Sequence, residues 1–218
     1  MVFWIEPDDR TMAFPDPHLA EPDGMLAMGG DLSPRRLISA YSRGIFPWFS
    51  FRDSKAPQWY CPQKRFVIFP HDIHISHSLR PMLNSGRFEM TFNRDFEGVI
   101  SNCSKLRING KGAWLGPEMI KAYTTLHRMK RAASVEVWEE GRLVGGLYGV
   151  TMGYVFAGES MFSLRPGASK LALVHLARRL MTVEGKFLID CQFETPHLRS
   201  MGGTHISYDE YMNILNGR

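Results

Sequence analysis

The chain has little cysteine. Cys61, Cys103 and Cys191 are odd in number, widely spaced and without a C-x-x-C pair. That usage excludes a disulfide framework and argues against a zinc site. It fits a reducing compartment, so a cytoplasmic protein is expected. No run of about 18 apolar residues occurs, so no helix is expected to span a membrane. The first twenty residues carry Glu6, Asp8, Asp9 and several prolines, which does not read as a signal peptide. Repeats, low-complexity tracts and long charge runs are lacking. Gly158-Glu159-Ser160 is not the G-x-S-x-G elbow of serine hydrolases. The spacing of His71, His74 and His77 suits neither a helix face nor a strand face, so surface or capping roles are expected rather than a metal site.

What is present is ordinary for a globular protein. Apolar residues make up 44% of the 218, charged residues 22% and aromatics 12%. A chain of this size buries well over half of its unfolded surface. The net charge is +4, a mild excess that permits an anionic partner without proving one.

The sequence divides near residue 65. Eight of the 13 prolines precede that point: Pro7, Pro15, Pro17, Pro22, Pro34, Pro47, Pro57 and Pro62. Turns are expected to dominate there. The exception is a helix starting at Ser33-Pro34, with Leu37, Ile38 and Tyr41 as its apolar stripe and Gly44 as its stop. After it come strands over 66–69 and 88–92 and helices over 95–104 and 117–131. A hairpin is expected over 134–150, then a strand over 154–158. A long helix over 168–183 and a buried-type strand over 187–191 follow, with short helices near 195–201 and 207–215 closing the chain. The reading is an α+β protein, with a small N-terminal domain over 1–65 and a larger domain over 66–218.

Several residues carry candidate chemistry. Glu159 ends a strand of mostly apolar residues, where a carboxylate serves either a structural ion pair or a site. Asp190 and Gln192 stand two apart at the end of an apolar strand, so both side chains are expected on one face. Cys191 then points away, toward the core. Trp48 and Trp114 lie in loops and serve either as packing anchors or as platforms for a base. Lys105, Arg107 and Lys111 surround Gly110 and Gly112 just before Trp114, a combination that suits nucleic acid. Leu164 and Ser169 stand where a coenzyme A loop needs other residues, which argues against that cofactor. From these features alone, a small-molecule N-acetyltransferase and a non-catalytic RNA-binding module both remain open.

Longer blocks narrow the choice. They are Phe14-Pro15-Asp16-Pro17, Asp23-Gly24-Met25-Leu26-Ala27-Met28-Gly29-Gly30-Asp31-Leu32-Ser33-Pro34 and Ala40-Tyr41-Ser42-Arg43-Gly44-Ile45-Phe46-Pro47-Trp48-Phe49. Later come Leu143-Val144-Gly145-Gly146-Leu147-Tyr148-Gly149-Val150, Gly158-Glu159-Ser160-Met161-Phe162-Ser163 and Leu188-Ile189-Asp190-Cys191-Gln192. Such blocks in order are far more specific than one short motif. Together they resemble the bacterial leucyl/phenylalanyl-tRNA–protein transferases.

The resemblance implies a Gcn5-related N-acetyltransferase-like (GNAT) fold for the larger domain. It implies transfer of Leu, Phe or Met from aminoacyl-tRNA to proteins with N-terminal Arg or Lys, marking them for N-end rule degradation, without cofactor or metal. It places Asp190, Gln192 and Glu159 in catalysis. It places Trp48 and Trp114 around the aminoacyl-adenosine, where Ser160, Met161 and Phe162 are also expected. Leu173, Leu176 and Leu180, at i, i+3 and i+7 on one face of the long helix, are either the lining of an apolar pocket there or plain core. Arg43, Lys64, Arg65, Lys105, Arg107 and Lys111 are candidates for the tRNA backbone, and a monomer is expected. One departure is that Ser76-His77-Ser78 stands where the family usually has Ser-Arg-Ser.

Overall fold

The computed structural model describes residues 2–48, 56–106 and 115–218. In chain order the strands and helices are β1 (Phe3–Ile5), β2 (Met25–Gly29), α1 (Pro34–Tyr41), β3 (Phe46–Pro47), β4 (Gln58–Tyr60), β5 (Lys64–Ile68) and α2 (Leu79–Asn84). Then come β6 (Phe88–Phe92), α3 (Phe96–Leu106), α4 (Pro117–Arg128), β7 (Ala132–Glu139), β8 (Arg142–Met152) and β9 (Val155–Ser163). The chain continues with α5 (Ala168–Leu180), β10 (Leu188–Gln192), α6 (Pro196–Ser200), β11 (Thr204–Ser207) and α7 (Tyr208–Leu215). No helix among the described residues is long and apolar enough to cross a membrane.

The strands form two sheets. The larger has the order β11-β5-β10-β9-β8-β7-β6 and the smaller the order β1-β2-β4-β3. Turns and irregular chain still make up most of the described residues among the first 65, but the smaller sheet lies among them and was not expected. Its strands are only two to five residues long, too short to show a period against the prolines between them.

Local chemistry explains the main helices. The Ser33 hydroxyl accepts from the Arg36 amide and Pro34 takes the first turn of α1, where its missing N–H costs nothing. Gly167, at φ +83°, makes the turn into α5, a conformation open to glycine at little cost.

The larger sheet separates two apolar layers. Leu147, Phe156 and Ile189 face Leu173, Leu176 and Ala177 of α5. Tyr148, Val150, Ala157 and Phe162 face α1, α3, α4 and the smaller sheet. All neighbouring strands of the larger sheet run antiparallel except β9 and β10, which α5 connects in parallel.

The β9–β10 pair positions the site. Its pairing runs from Leu188–Val155 to Asp190–Ala157. Beyond that point both strands are bulged. In β9, Tyr148 pairs Ser160 and Gly149 pairs Gly158, which leaves Glu159 as the extra residue. In β10 the register against β5 shifts between Asp190 and Gln192, and Gln192 takes φ +63°. Bulges re-aim side chains. Here β9 runs five residues beyond the expected end, paired with β8, while its pairing with β10 stops at Ala157 and a gap opens between the two strands.

Candidate active site

A cavity of about 340 Å³ opens at that gap. Leu147, Phe156, Met161, Leu173, Leu176, Ile189 and Leu198 give it an apolar wall. Glu159, Ser160, Asp190, Gln192, Thr195 and His197 supply polar groups, and Pro47, Trp48 and Phe193 close one side. An apolar hollow with a few convergent polar groups is the usual form of a small-ligand site.

Glu159 is 7% exposed. Its Oε1 accepts from the Tyr41 hydroxyl at 2.6 Å and from the Gln192 side-chain amide at 3.1 Å. Its Oε2 accepts from the Tyr123 hydroxyl at 2.9 Å. The two tyrosine oxygens are themselves 2.6 Å apart. Burial pushes the Glu159 carboxyl up to about 7, against the downward pull of those hydrogen bonds, and the Asp190 charge adds to the rise. Burial and then the Glu159 charge hold both phenols well above the usual tyrosine range, so they stay donors.

Asp190 has a different setting. Its Oδ1 lies 3.2 Å from Arg65 Nε and accepts from the Gln192 backbone amide at 2.8 Å. Its Oδ2 accepts from the Tyr211 hydroxyl at 3.1 Å. Burial drives this carboxyl upward and Arg65 opposes the rise. Asp190 and Gln192 both line the cavity, as two positions on one strand face would, and the bulge between them divides their tasks. Asp190 holds the backbone of Gln192, while the Gln192 side chain turns to Glu159.

The other expected residues separate. Trp48 is 46% exposed, lines the cavity and stacks obliquely on Phe193, ring centres 4.7 Å apart. Ser160, Met161, Leu173 and Leu176 also line it. Phe162 and Leu180 do not: Phe162 is buried in the layer facing α3, and Leu180 packs against the α5 layer. Cys191 is not fully core; it is half-buried and lines the cavity. Arg43, Lys64 and Lys105 are exposed. Arg65, expected on the tRNA backbone, is 1% exposed and faces Asp190, so it is closed to an RNA phosphate. Trp114, Arg107 and Lys111 lie outside the described residues.

Four participants escaped the sequence reading: Tyr41, Tyr123, Tyr211 and His197. Tyr41 stands in the apolar stripe of its helix and reads as core, and Tyr123 lies on the buried side of α4. Their signal is the hydroxyl, which seeks a partner when the ring is buried. Two polar atoms of the cavity wall, Ser160 Oγ and His197 Nε2, are buried with no hydrogen-bond partner among the described residues. Burial and then the Lys170 charge hold His197 below the usual histidine range. No cluster of metal-ligating side chains occurs among the described residues.

Comparison with known proteins identifies the framework. The profile of the family described as leucyl/phenylalanyl-tRNA protein transferase matches residues 67–216, and that of its N-terminal domain matches residues 30–63. A leucyl/phenylalanyl-tRNA–protein transferase of Cellvibrio japonicus is 46% identical over 217 residues, covering 99% of this chain and 90% of the relative. One from Syntrophobacter fumaroxidans is 50% identical over 208 residues, covering 94% and 87%. Among solved structures, a Gcn5-related N-acetyltransferase from Kribbella flavida is similar at TM-score 0.43 and 10% identity, covering 76% of this chain and 58% of that one. A ribosomal-protein-alanine N-acetyltransferase from Brucella melitensis is similar at TM-score 0.39 and 14% identity, covering 51% and 85%. On the family profiles and the near full-length identity, this chain belongs to the leucyl/phenylalanyl-tRNA–protein transferases.

Proposed function

We propose that the protein moves Leu, Phe or Met from aminoacyl-tRNA to the α-amine of proteins that begin with Arg or Lys, marking them for N-end rule degradation in the cytoplasm. The observation that carries this reading is the apolar cavity with Glu159 and Gln192 at its polar end. An aliphatic or aromatic side chain suits the leucine wall, whereas a charged one entering it would go unpaired at high cost. A single methylene changes such binding by only about 1–3 kcal/mol, so one pocket serves all three amino acids.

The aminoacyl ester is already activated, so no ATP is required. The acceptor α-amine attacks the ester carbonyl and the terminal ribose oxygen leaves. A free α-amine has a pKa of about 7.7–8.0, so finding it neutral at pH 7 costs about 1.4 kcal/mol at most. Positioning is the larger task, worth about 7–11 kcal/mol in well-oriented reactions.

Gln192 donates through its amide nitrogen to Glu159, which leaves its carbonyl oxygen for an N–H of the attacking amine. Glu159, close to half-ionised near neutrality, takes the proton that the amine loses and returns it to the leaving ribose oxygen. Ser160 Oγ has a hydrogen bond to give and serves the ester carbonyl oxygen as negative charge develops there. Trp48 offers its exposed face to the terminal adenine, with Trp114 as the expected second wall. Arg43, Lys64 and Lys105 are left for phosphates.

The test uses radiolabelled leucyl-, phenylalanyl- and methionyl-tRNA with a model protein beginning with Arg, without ATP or coenzyme A. Label entering that protein, and not a control beginning with Gly, is the expected result. Bound tRNA with no transfer from any of the three would overturn the reading in favour of an RNA-binding module.

A further inference from the structure

We propose that Arg65 is a positioning residue for the transfer reaction: it holds Asp190 as a fixed acceptor for the Gln192 backbone and so sets the bend that presents the Gln192 amide to the cavity. The proposal rests on the function proposed above.

Arg65 is held on several sides. Nε lies 3.2 Å from Asp190 Oδ1 as a buried charge pair outside hydrogen-bond geometry, and Nη2 donates to the Gly44 carbonyl oxygen. The guanidinium carbon stands 4.9 Å from the centre of the Phe46 ring and 4.5 Å from that of Tyr211. A planar cation between aromatic faces is rigid in a way an ammonium is not. The pair it makes with Asp190 is closed to solvent, both side chains being at most 2% exposed.

Asp190 passes this rigidity on. Oδ1 also accepts from the Gln192 amide at 2.8 Å, and Gln192 occupies a backbone region that non-glycine residues rarely adopt. Such a conformation persists when its surroundings over-determine it. With Oδ1 on Arg65 and Gln192, and Oδ2 on Tyr211, Asp190 is built to hold the chain. The amine's proton goes elsewhere.

The charged and titratable groups around Asp190 are Arg65 from β5, Tyr211 from α7, Glu159 from β9, Cys61 from the turn before β5 and its neighbour Cys191. Arg65 is the one cation among them. Without it, only the hydrogen bonds from the Gln192 amide and the Tyr211 hydroxyl oppose the rise that burial causes, and Asp190 takes up a proton at higher pH.

The experiment measures kcat and KM against pH for the full chain and for Arg65→Gln, Arg65→Lys and Tyr211→Phe, using leucyl-tRNA and an acceptor beginning with Arg. In parallel, the amide resonance of Gln192 is followed by NMR across the same pH range. For Arg65→Gln, kcat is expected to fall by more than about tenfold, with KM for leucyl-tRNA within about twofold. Its acid limb should move to higher pH, and the Gln192 resonance should titrate with it. Arg65→Lys, which keeps the charge, should restore the pH profile in part. Tyr211→Phe, which keeps the ring, should lose less.

A rise in KM with kcat intact would overturn the proposal in favour of an RNA contact. Equal loss in Arg65→Gln and Arg65→Lys, with the Gln192 resonance unmoved, would overturn it in favour of packing alone. If the wild-type chain transfers nothing, the proposed function fails, and the Gln192 resonance still decides whether Arg65 governs Asp190. If Arg65→Gln does not fold, Arg65→Lys and Tyr211→Phe carry the same comparison.

Discussion

Glu159 and Asp190 stand on adjacent strands at one cavity, and both are buried, but the regions around them are built from different chemistry. Glu159 is met by neutral donors, two phenols and a carboxamide. Asp190 is met by an arginine, a backbone amide and a phenol. Neutral donors satisfy hydrogen bonds without offsetting the loss of water around a full charge. The first carboxyl therefore rises to about 7, while the second has a cation working against the same rise. Burial alone does not decide what an acid can do; the charge of its nearest partner does. One is suited to exchanging a proton, the other to holding structure.

That contrast breaks most severely at Asp190. Asp190→Asn keeps the shape but leaves Arg65 a buried cation without its counter-ion, which costs about 3–5 kcal/mol. The melting temperature should fall by roughly 10 °C. Turnover should drop about 100-fold. A melting curve that overlays the wild type would show the Arg65 pair to be dispensable.

Glu159→Gln sharpens the other half. Burial raises the Glu159 pKa above the ordinary 4.5, to about 7. Its contribution to stability is therefore full below about pH 4.5 and is lost as pH rises through about 7, a change on the order of 3 kcal/mol. The variant cannot ionise, so that decline should be missing from its stability curve in urea at successive pH values. Equal slopes in both proteins would place the Glu159 pKa near its ordinary value.

The smallest effect is expected on the exposed side of the cavity. Trp48→Ala removes a stacking surface worth about 1–3 kcal/mol. KM for leucyl-tRNA should rise about tenfold while the pH dependence of kcat keeps its shape. A shifted pH profile would mean that Trp48 supports the Glu159 region rather than the substrate.

Legibility in the sequence followed distance along the chain. The helix near Pro117 and the strand over 88–92 were marked by local period and caps, and the structure has α4 over Pro117–Arg128 and β6 over Phe88–Phe92. The smaller sheet was not, because β1 pairs with β2, register Phe3 to Ala27, and nothing local announces such a partner. Glu159, Asp190 and Gln192 were found through strand ends and family blocks. Their partners were not, because Tyr41, Tyr123, Arg65 and Tyr211 come from segments far away in sequence. Arg65 read as a surface cation because a lone arginine carries no mark of its counter-ion. Tyr41 read as core because Glu159 lies 118 residues away in sequence.

That last separation bears on how the protein is made. Tyr41 leaves the ribosome long before Glu159, and Arg65 long before Asp190, whose hydroxyl partner Tyr211 is on the last helix of the fold. Contacts between such distant segments form late, since the intervening chain must first be closed into a loop. A nascent chain therefore holds no assembled pair of acids until α7 has emerged. Transfer activity should arise in one step once α7 has emerged, and a chain stalled before Tyr208 should carry the leucine-lined wall but not a fully anchored Asp190.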